Sequence, residues 1–326
     1  MPGRRAARAF RPKLRWLYLY LPLLLLLIVV GAFAWLYFRF GSIHRVELGD
    51  ALAPATGNAV NYLLVGSDSR EGIDADTPNV GAIGTDVAGR RSDTIIVLRV
   101  EGGAATMMSI PRDLWTTNVA TGKEGRVNAA YNQGPANLVR TVTANLGIPI
   151  NHYLEVDFVS FSEMVDAIGG IDIDFPHAAF DRNSGLNIIA PGVHTLDGSQ
   201  ALAYVRSRHY VEIVDGKQVS DPTADLGRNL RQQIFIRTVL EEVGATRNPW
   251  TLARVAGAAT TGMRVDTELG FGDVVTLARS LSGTDPESVV LPTKAARKGR
   301  ASVLVLETEA ATPVLAEFCG TPNTPS

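Results

Sequence analysis

One stretch near the start of the chain constrains its fold more than any other. Residues 17–38 read LYLYLPLLLLLIVVGAFAWLYF and contain no charged side chain. As a helix this run would rise about 33 Å, enough to cross the hydrocarbon core of a bilayer. Aromatic residues stand near both ends of the run, as they do at membrane interfaces. The run therefore predicts a single transmembrane helix over 17–38, ahead of a folded domain.

The charges before this run set its predicted orientation. Residues 1–16 hold six basic side chains and no acidic one. Because basic flanks stay on the cytoplasmic side, we expect a cytoplasmic tail at 1–16 and the rest of the chain outside the cell membrane. The alternative is a cleaved signal peptide, with the Ala-Phe-Ala motif at 32–34 as its cleavage site. The length of the apolar run favours the uncleaved, single-pass anchor.

Behind the anchor, the sequence predicts one domain. Residues 39–58 are expected to form a juxtamembrane linker, 59–320 an extracytoplasmic catalytic domain and 321–326 a flexible tail. Segments typical of strands and helices are mixed, which predicts the α/β class: an α-β-α sandwich around a mixed sheet that includes antiparallel strands. The lone cysteine, Cys319, excludes an intrachain disulfide.

Net charge argues against a nucleic-acid partner. Removing the six basic residues of the tail from the 31 Lys and Arg leaves 25, against 33 Asp and Glu, so the remainder carries a net charge of −8. Proteins that bind nucleic acids are usually basic on the binding face. We therefore expect no nucleic-acid partner, and any anion site must be built locally by a few clustered arginines.

Three apolar segments predict such a cluster. Residues 59–66, 92–100 and 104–113 are typical of strands, and a Glu-Gly-Gly turn joins the last two into a hairpin. If the chain runs up, down and up, the end of the first strand, the start of the second and the end of the third share one edge of the sheet. Each of these points carries an aspartate and an arginine: Asp68 with Arg70, Asp93 with Arg91, and Asp113 with Arg112.

Carboxylates and arginines at one sheet edge suit a phosphate bound with a divalent metal. Carboxylate oxygens are the ligands that Mg²⁺ prefers, and a guanidinium matches a phosphate with two hydrogen bonds. The alternative is that each aspartate caps a loop and pairs with its neighbouring arginine at the surface. Three such pairs at a single edge favour the phosphate site.

Two later segments add polar residues. The stretch ALAYVRSRHY, 201–210, predicts a strand with Arg206 and Arg208 on the same face. A helix is predicted over 221–243, and its alternative interpretation is an exposed helix with surface salt bridges. Three polar residues of this helix share one face and a fourth lies alongside: Asp225, Arg228 and Gln232, with Arg231.

Taken together, these segments resemble the LytR-CpsA-Psr family of cell-envelope phosphotransferases, across roughly 60–240. Two departures are the long loop at 71–90 and Pro135 in place of a common glycine. The matching segments are LLVGSDSR, RSDTIIVL, MSIPRDLW, RVNAAYNQGP, HYLEVDFVSFSEMVDAIGGIDI, GVHTLDGSQALAYVRSRH and DLGRNLRQQIFI.

The resemblance implies an activity and a role for each residue. A glycopolymer phosphate would pass from a polyprenyl-pyrophosphate-linked carrier to a peptidoglycan hydroxyl, releasing polyprenyl phosphate at the membrane. The implied cofactor is Mg²⁺, with Mn²⁺ as the alternative ion, and its implied ligands are Asp68 and Asp93. The implied catalytic residues are Asp68, Asp93, Arg112, Arg206 and Arg208. The implied substrate contacts are Arg70, Arg91, Arg126, Asn128, Asp225, Arg228, Arg231 and Gln232.

Two other functions stay open on the sequence. A pyrophosphatase would use the same residues with water as the nucleophile. A non-catalytic, membrane-tethered protein could bind lipid-linked or anionic glycans, although it would have no need of a pair of metal ligands.

Overall fold

A computed structural model describes residues 14–55, 57–67, 92–221, 225–246, 248–281 and 286–319. The chain divides into two compact units, one ending at Ser42 and the other starting at Ile43. The first unit contains helix α1, Leu14–Gly41, in which Leu21 and Leu27 are 65% and 61% exposed. Within the described ranges, no helix combines the length and the apolar character that crossing a membrane requires. The transmembrane helix predicted over 17–38 is therefore not confirmed.

The second unit mixes short strands with helices. Its strands are β1 (His44–Val46), β2 (Ala59–Ser67), β3 (Ser92–Glu101), β4 (Ala104–Ser109), β5 (Trp115–Thr117), β6 (Glu124–Arg126), β7 (His152–Asp157), β8 (Ile171–Phe175), β9 (Ala178–Asp181), β10 (Leu186–Ile188), β11 (Gly192–Leu196), β12 (Val211–Val214), β13 (Lys217–Ser220), β14 (Met263–Asp266), β15 (Glu287–Val290), β16 (Thr293–Lys298) and β17 (Ala301–Leu306). Its helices are α2 (Pro135–Leu146), α3 (Phe158–Ile168), α4 (Gly198–Arg206), α5 (Asp225–Ala245), α6 (Pro249–Gly262), α7 (Phe271–Leu281) and α8 (Thr308–Cys319), with 3-10 turns at Gly49–Ala51 and Val127–Gln133.

The central sheet has seven strands in the order β1-β14-β7-β2-β3-β4-β15. Strands β2, β3 and β4 run antiparallel, and the tight turn between β3 and β4 uses Gly102 and Gly103 at φ 59° and 88°. Two successive left-handed positions suit glycine, because it has no Cβ to clash. Strand β7 is parallel to β2 and β15 is parallel to β4. The predicted mixed sheet, and the up, down, up course of its first strands, are confirmed.

Helices pack on both faces of this sheet. On one face Leu63 and Tyr153 join Val139 of α2 and Phe318 of α8 in one buried apolar cluster. Helices α3, α5, α6 and α7 contact β4, β7 or β15, and α3, α4 and α5 contribute to a second cluster with β8–β11. Burying apolar side chains on both faces is what makes a three-layer α/β arrangement stable.

The predicted strand at 201–210 is wrong, because this segment begins inside helix α4. Asp197 accepts a hydrogen bond from the Gln200 amide, and the Gln200 side chain accepts one from the Asp197 amide. This reciprocal capping box starts the helix, and Ala201 and Leu202 are fully buried within it. Arg206 is the last residue of α4, and Arg208 lies in the turn that follows, so the two arginines do not share a strand face.

The folded unit also begins earlier than the predicted boundary at residue 59. Strand β1 pairs in parallel with β14, and Leu48 and Ala51 belong to the first buried cluster. The Ala53 amide donates to the Ile150 carbonyl over 2.7 Å. Much of the segment predicted as a linker, 39–58, is thus part of the domain.

Candidate active site at the edge of the central sheet

Four strand ends meet at one edge of the central sheet. Ser67, at the end of β2, pairs with Ser92, at the start of β3, while Ser109 at the end of β4 pairs with Ile96. The shared edge predicted for these three points is confirmed. Strand β7 runs parallel to β2 and ends at the same edge, with Asp157 beside Ser67.

The predicted metal ligands, Asp68 and Asp93, directly follow Ser67 and Ser92 in the sequence. Of these and the neighbouring arginines, three lie outside the described residues and one is described only by its backbone: Asp68, Arg70 and Arg91, and Asp93 in β3. The hydroxyl groups of Ser67 and Ser92 are fully buried, and within the described ranges neither has a hydrogen-bond partner. Hydroxyl and carboxylate oxygens suit Mg²⁺, so the donor chemistry at this edge fits that ion. The described residues contain no group of three His, Cys, Asp or Glu side chains that could hold a metal.

Asp113 brings two of the predicted arginines together just after β4. Its Oδ1 lies 3.1 Å from Arg126 Nε, and its Oδ2 lies 3.7 Å from Arg112 Nε. Arg126 also donates to the Ser302 carbonyl over 2.9 Å, and the Asn128 amide donates to the Arg112 carbonyl over 3.2 Å. The structure therefore gathers Arg112 and Arg126 around the Asp113 carboxylate and links the main chain of Asn128 to that of Arg112.

The end of α4 and the following turn carry the next two predicted arginines. We call residues 206–210 the arginine turn. The Arg206 guanidinium lies 4.8 Å from the centre of the Phe158 ring, at the first residue of α3. This distance is within the range of a cation–π contact, which orients the guanidinium against α3.

Asp181 holds the arginine turn from β9. Its side chain is buried, and its Oδ2 accepts hydrogen bonds from Ser207 Oγ at 2.7 Å, the Arg208 amide at 2.9 Å and the His209 amide at 2.8 Å. Burial raises the pKa of this carboxyl, but these hydrogen bonds, with one from the Asn183 amide, outweigh it, and the pKa lies below its ordinary value. Asp181 is therefore held as a carboxylate.

Arg231 of α5 also contacts the arginine turn. It donates from Nη2 to the Ser207 carbonyl over 2.9 Å, and its Nη1 lies 3.0 Å from Asp221 Oδ2. Its guanidinium also lies 4.6 Å from the centre of the Tyr210 ring. These contacts with the protein favour a structural role for Arg231 over the predicted substrate contact.

The helix predicted over 221–243 is confirmed as α5, but its exposed, salt-bridged alternative is wrong. Arg228, Arg231 and Gln232 are only 2%, 7% and 7% exposed. Gln232 donates to the Val205 carbonyl over 3.3 Å, near the end of α4. Asp225 is the first residue of α5, and its side chain lies outside the described part of the chain.

Gln233, which the sequence did not single out, links α5 to the sheet edge. It donates to Ser109 Oγ over 3.0 Å and to the Val289 carbonyl over 2.8 Å. Two adjacent glutamines of α5 thus contact different elements: Gln232 contacts the end of α4, and Gln233 contacts the end of β4. Helix α5 is therefore hydrogen-bonded to the arginine turn, to the end of α4 and to the sheet edge.

The fold and this site define an α/β domain with an arginine-rich site at the edge of a mixed sheet. The LytR_cpsA_psr family model matches residues 42–313, and the chain belongs to this family. The family resemblance of the sequence segments is thereby confirmed.

Similar proteins include cell-wall proteins of several bacteria. The chain is 35% identical over 214 residues to the probable cell wall biosynthesis protein LcpB of Corynebacterium glutamicum, covering 64% of this chain and 48% of that protein. It is 34% identical over 184 residues to the polyisoprenyl-teichoic acid–peptidoglycan teichoic acid transferase TagU of Bacillus mycoides, covering 56% and 52%. A LytR-Csp2A-Psr enzyme from Actinomyces oris aligns with a TM-score of 0.67 and 27% identity, covering 86% of this chain and 97% of that one. The chain spans about half the length of the curated relatives it matches.

Proposed function

We propose that this protein is a phosphotransferase that attaches a glycopolymer to peptidoglycan. The donor is a glycan carried on polyprenyl pyrophosphate, and the acceptor is a peptidoglycan hydroxyl. The similarity to a relative named as a teichoic acid transferase supports the reaction class. Selection of one polymer over another depends on contacts with its glycan, beyond the phosphates.

The observation that carries the proposal is the connection made by α5. Gln232 contacts the end of the helix that precedes the arginine turn, and Gln233 contacts the end of β4. These two contacts support the inference that Arg206 and Arg208 serve the same site as the ends of β2 and β3, next to which Asp68 and Asp93 stand in the sequence. Clustered arginines beside carboxylates suit a pyrophosphate better than a neutral ligand.

In the proposed reaction, the acceptor oxygen attacks the phosphorus next to the glycan. A new P–O bond forms and the bond from that phosphorus to the bridging oxygen breaks, so polyprenyl phosphate leaves with the bond electrons. Asp93 or Asp68 takes the proton of the acceptor hydroxyl. Arg112, Arg206, Arg208 and Arg228 bind the phosphate oxygens and offset the charge that develops there. A bound Mg²⁺, held by Asp68 and Asp93, would supply further charge neutralisation.

We also propose that the protein acts at the outer face of the cell membrane and is held there by its N-terminal segment. The exposed leucines of α1 and the six basic residues within 1–16 support this proposal. Alkaline extraction of membranes, followed by protease treatment of intact cells, tests it. A protein released by alkali, or one protected from protease in intact cells, would contradict it.

The transfer is tested with the full chain in detergent, a polyprenyl-pyrophosphate-linked sugar and a peptidoglycan acceptor, with and without Mg²⁺. Variants Asp93→Ala and Arg208→Ala are run beside Arg254→Ala, which removes an exposed arginine of α6. We expect polyprenyl phosphate release and sugar phosphate on the acceptor for the wild type and for Arg254→Ala. Each of the two site variants should lose about 100-fold or more in rate.

Two outcomes would replace this proposal. Release of lipid phosphate with nothing on the acceptor would identify a pyrophosphatase. Binding of the lipid without turnover, with or without metal, would identify a non-catalytic binding protein.

A further inference from the structure

We propose that Asp181 is a positioning residue that fixes Arg208 for contact with the pyrophosphate. This inference rests on the proposed function, since it requires Arg208 to bind phosphate. Asp181 reaches the main chain of the arginine turn and acts through it.

The carboxylate of Asp181 is fixed on both of its oxygens. Its Oδ2 accepts from three consecutive residues, Ser207, Arg208 and His209, at 2.7–2.9 Å. Its Oδ1 accepts from the Asn183 amide at 2.9 Å, so the carboxylate plane cannot rotate without breaking bonds at both ends. Asp181 is the last residue of β9, which pairs with β10 on one side and β12 on the other, so the backbone of Asp181 is held in a sheet.

Ser207 is held through every polar group it has. Its amide donates to the Tyr204 carbonyl at 3.2 Å, its hydroxyl donates to Asp181, and its carbonyl accepts from Arg231. Asp181 and Arg231 thus hold the peptide before Arg208 from β9 and from α5. This main-chain arrangement sets the direction in which the Arg208 side chain leaves the backbone.

Orientation matters because a guanidinium forms paired hydrogen bonds with a phosphate only in a narrow geometry. Positioning errors of about 1 Å can cost about 100-fold in rate at a reacting centre. A buried carboxylate that accepts two successive main-chain amides is therefore placed to set the affinity of Arg208 for phosphate. Its contribution should disappear when Arg208 has no guanidinium.

The test is a double-mutant cycle on ligand binding. The probe is geranylgeranyl pyrophosphate with Mg²⁺, and its dissociation constant is measured for wild type, Asp181→Asn, Arg208→Ala and the double variant. Asp174→Asn, an exposed aspartate of β8, is the matched control for loss of a carboxylate. We expect about tenfold weaker binding for Arg208→Ala, about fivefold for Asp181→Asn, and no more than about twofold further loss when Asp181→Asn is added to Arg208→Ala.

A role confined to folding would give a different result. In that case Asp181→Asn would weaken binding by the same factor in both backgrounds, and this additivity would overturn the proposal. An unchanged affinity in Asp181→Asn would overturn it as well. Ser207→Ala, which removes one of the three donors, should weaken binding about twofold to threefold and serves if Asp181→Asn does not fold.

The cycle also separates this inference from the proposed function. If the wild type binds the probe but transfers nothing to peptidoglycan, the transferase proposal fails while the coupling between Asp181 and Arg208 stands or falls on its own. If the wild type does not bind pyrophosphate at all, both are overturned.

Discussion

At the scale of single residues, the carboxyl groups of Asp266, which is fully buried, and Asp157, which is half-buried, show how surroundings change the pKa of the same chemical group. Asp266 is fully buried, and it accepts from the amides of Tyr153 at 2.9 Å and Leu269 at 2.7 Å. The His152 ring nitrogen Nδ1 also lies 3.3 Å from its Oδ2. Burial raises the pKa of Asp266, but the hydrogen bonds outweigh it, and the pKa falls below its ordinary value of 3.8.

The lowered pKa predicts how Asp266 contributes to stability across pH. Since the folded-state pKa lies below the unfolded-state value, the carboxylate stabilises the fold above about pH 4, and this contribution is lost as pH falls through the lowered pKa. Asp266→Asn should lower the free energy of unfolding by about 2 kcal/mol at pH 7 and by progressively less in acid. Urea unfolding between pH 2.5 and 7 measures it. A loss that stays constant over this range, or an equal loss in the exposed Asp174→Asn, would contradict the assignment.

For Asp157 we expect the opposite pH dependence of stability. Burial raises the pKa of its carboxyl, and the hydrogen bond from the Ser160 amide at the start of α3 only partly offsets this. A raised pKa means that ionising Asp157 costs stability as pH rises through that value. Asparagine caps a helix about as well as aspartate, so Asp157→Asn should be neutral or stabilising at pH 7. If Asp157→Asn lowers the free energy of unfolding by more than about 1 kcal/mol in the same urea measurement, the charge of Asp157 itself stabilises the start of α3.

At the scale of elements, α4 shows where a local pattern misleads. The stretch ALAYVRSRHY starts with apolar residues and ends with two arginines two positions apart, which in a strand would lie on the same face. The decisive signal lies just upstream, because Asp197 and Gln200 are three residues apart and form the capping box. A helix buried on most of its surface has no polar face, so its period is hidden and only its start distinguishes it from a strand.

The strands and the sheet edge could be predicted because they depend on local order. The hairpin of β3 and β4 follows from two glycines, and the shared edge follows from the direction of three consecutive strands. The contacts that complete the site could not be predicted in this way. Asp181 meets residues 26 to 28 positions later, and Gln233 meets Ser109 across 124 positions. In the sequence Asp181 is typical of a turn, and nothing distinguishes Gln233 from its neighbour.

The packing of α3 against α4 depends on Gly198. A Cβ at this position would clash with the backbone carbonyl of Ser162 in α3, and a carbonyl cannot move aside as a flexible side chain can. Gly198→Ala should therefore destabilise the domain by about 2 kcal/mol or more. Gly272→Ala in α7, where a Cβ meets nothing within 4 Å, is the matched control and should be neutral or slightly stabilising. Thermal unfolding of both variants measures the difference, and equal melting temperatures would contradict the close approach.

At the scale of the whole molecule, the start of the folded unit is a structural result that the sequence placed too late. The segment from Ile43 to Ala53 contributes a strand pair, buried side chains and hydrogen bonds to the core. Arg45 of β1 donates to the carbonyls of Asp266 and Leu269 over 3.0 and 2.7 Å, and Leu48 is 3% exposed. In this short segment apolar and charged residues follow one another without a helical or strand period, so the sequence alone does not distinguish it from a linker.

Two truncations test this boundary. A fragment that starts at Ile43 keeps both buried clusters and should unfold cooperatively at a melting temperature close to that of the full chain. A fragment that starts at Ala59 loses β1 and exposes the surface that Leu48 and Ala51 cover in the core. Burial of a leucine alone contributes about 2 kcal/mol, and the Arg45 hydrogen bonds add to it, so the shorter fragment should lose several kcal/mol or fail to fold. Calorimetry and near-ultraviolet circular dichroism of the two fragments measure the difference, and equal stability would show that residues 43–58 lie on the domain without supporting it.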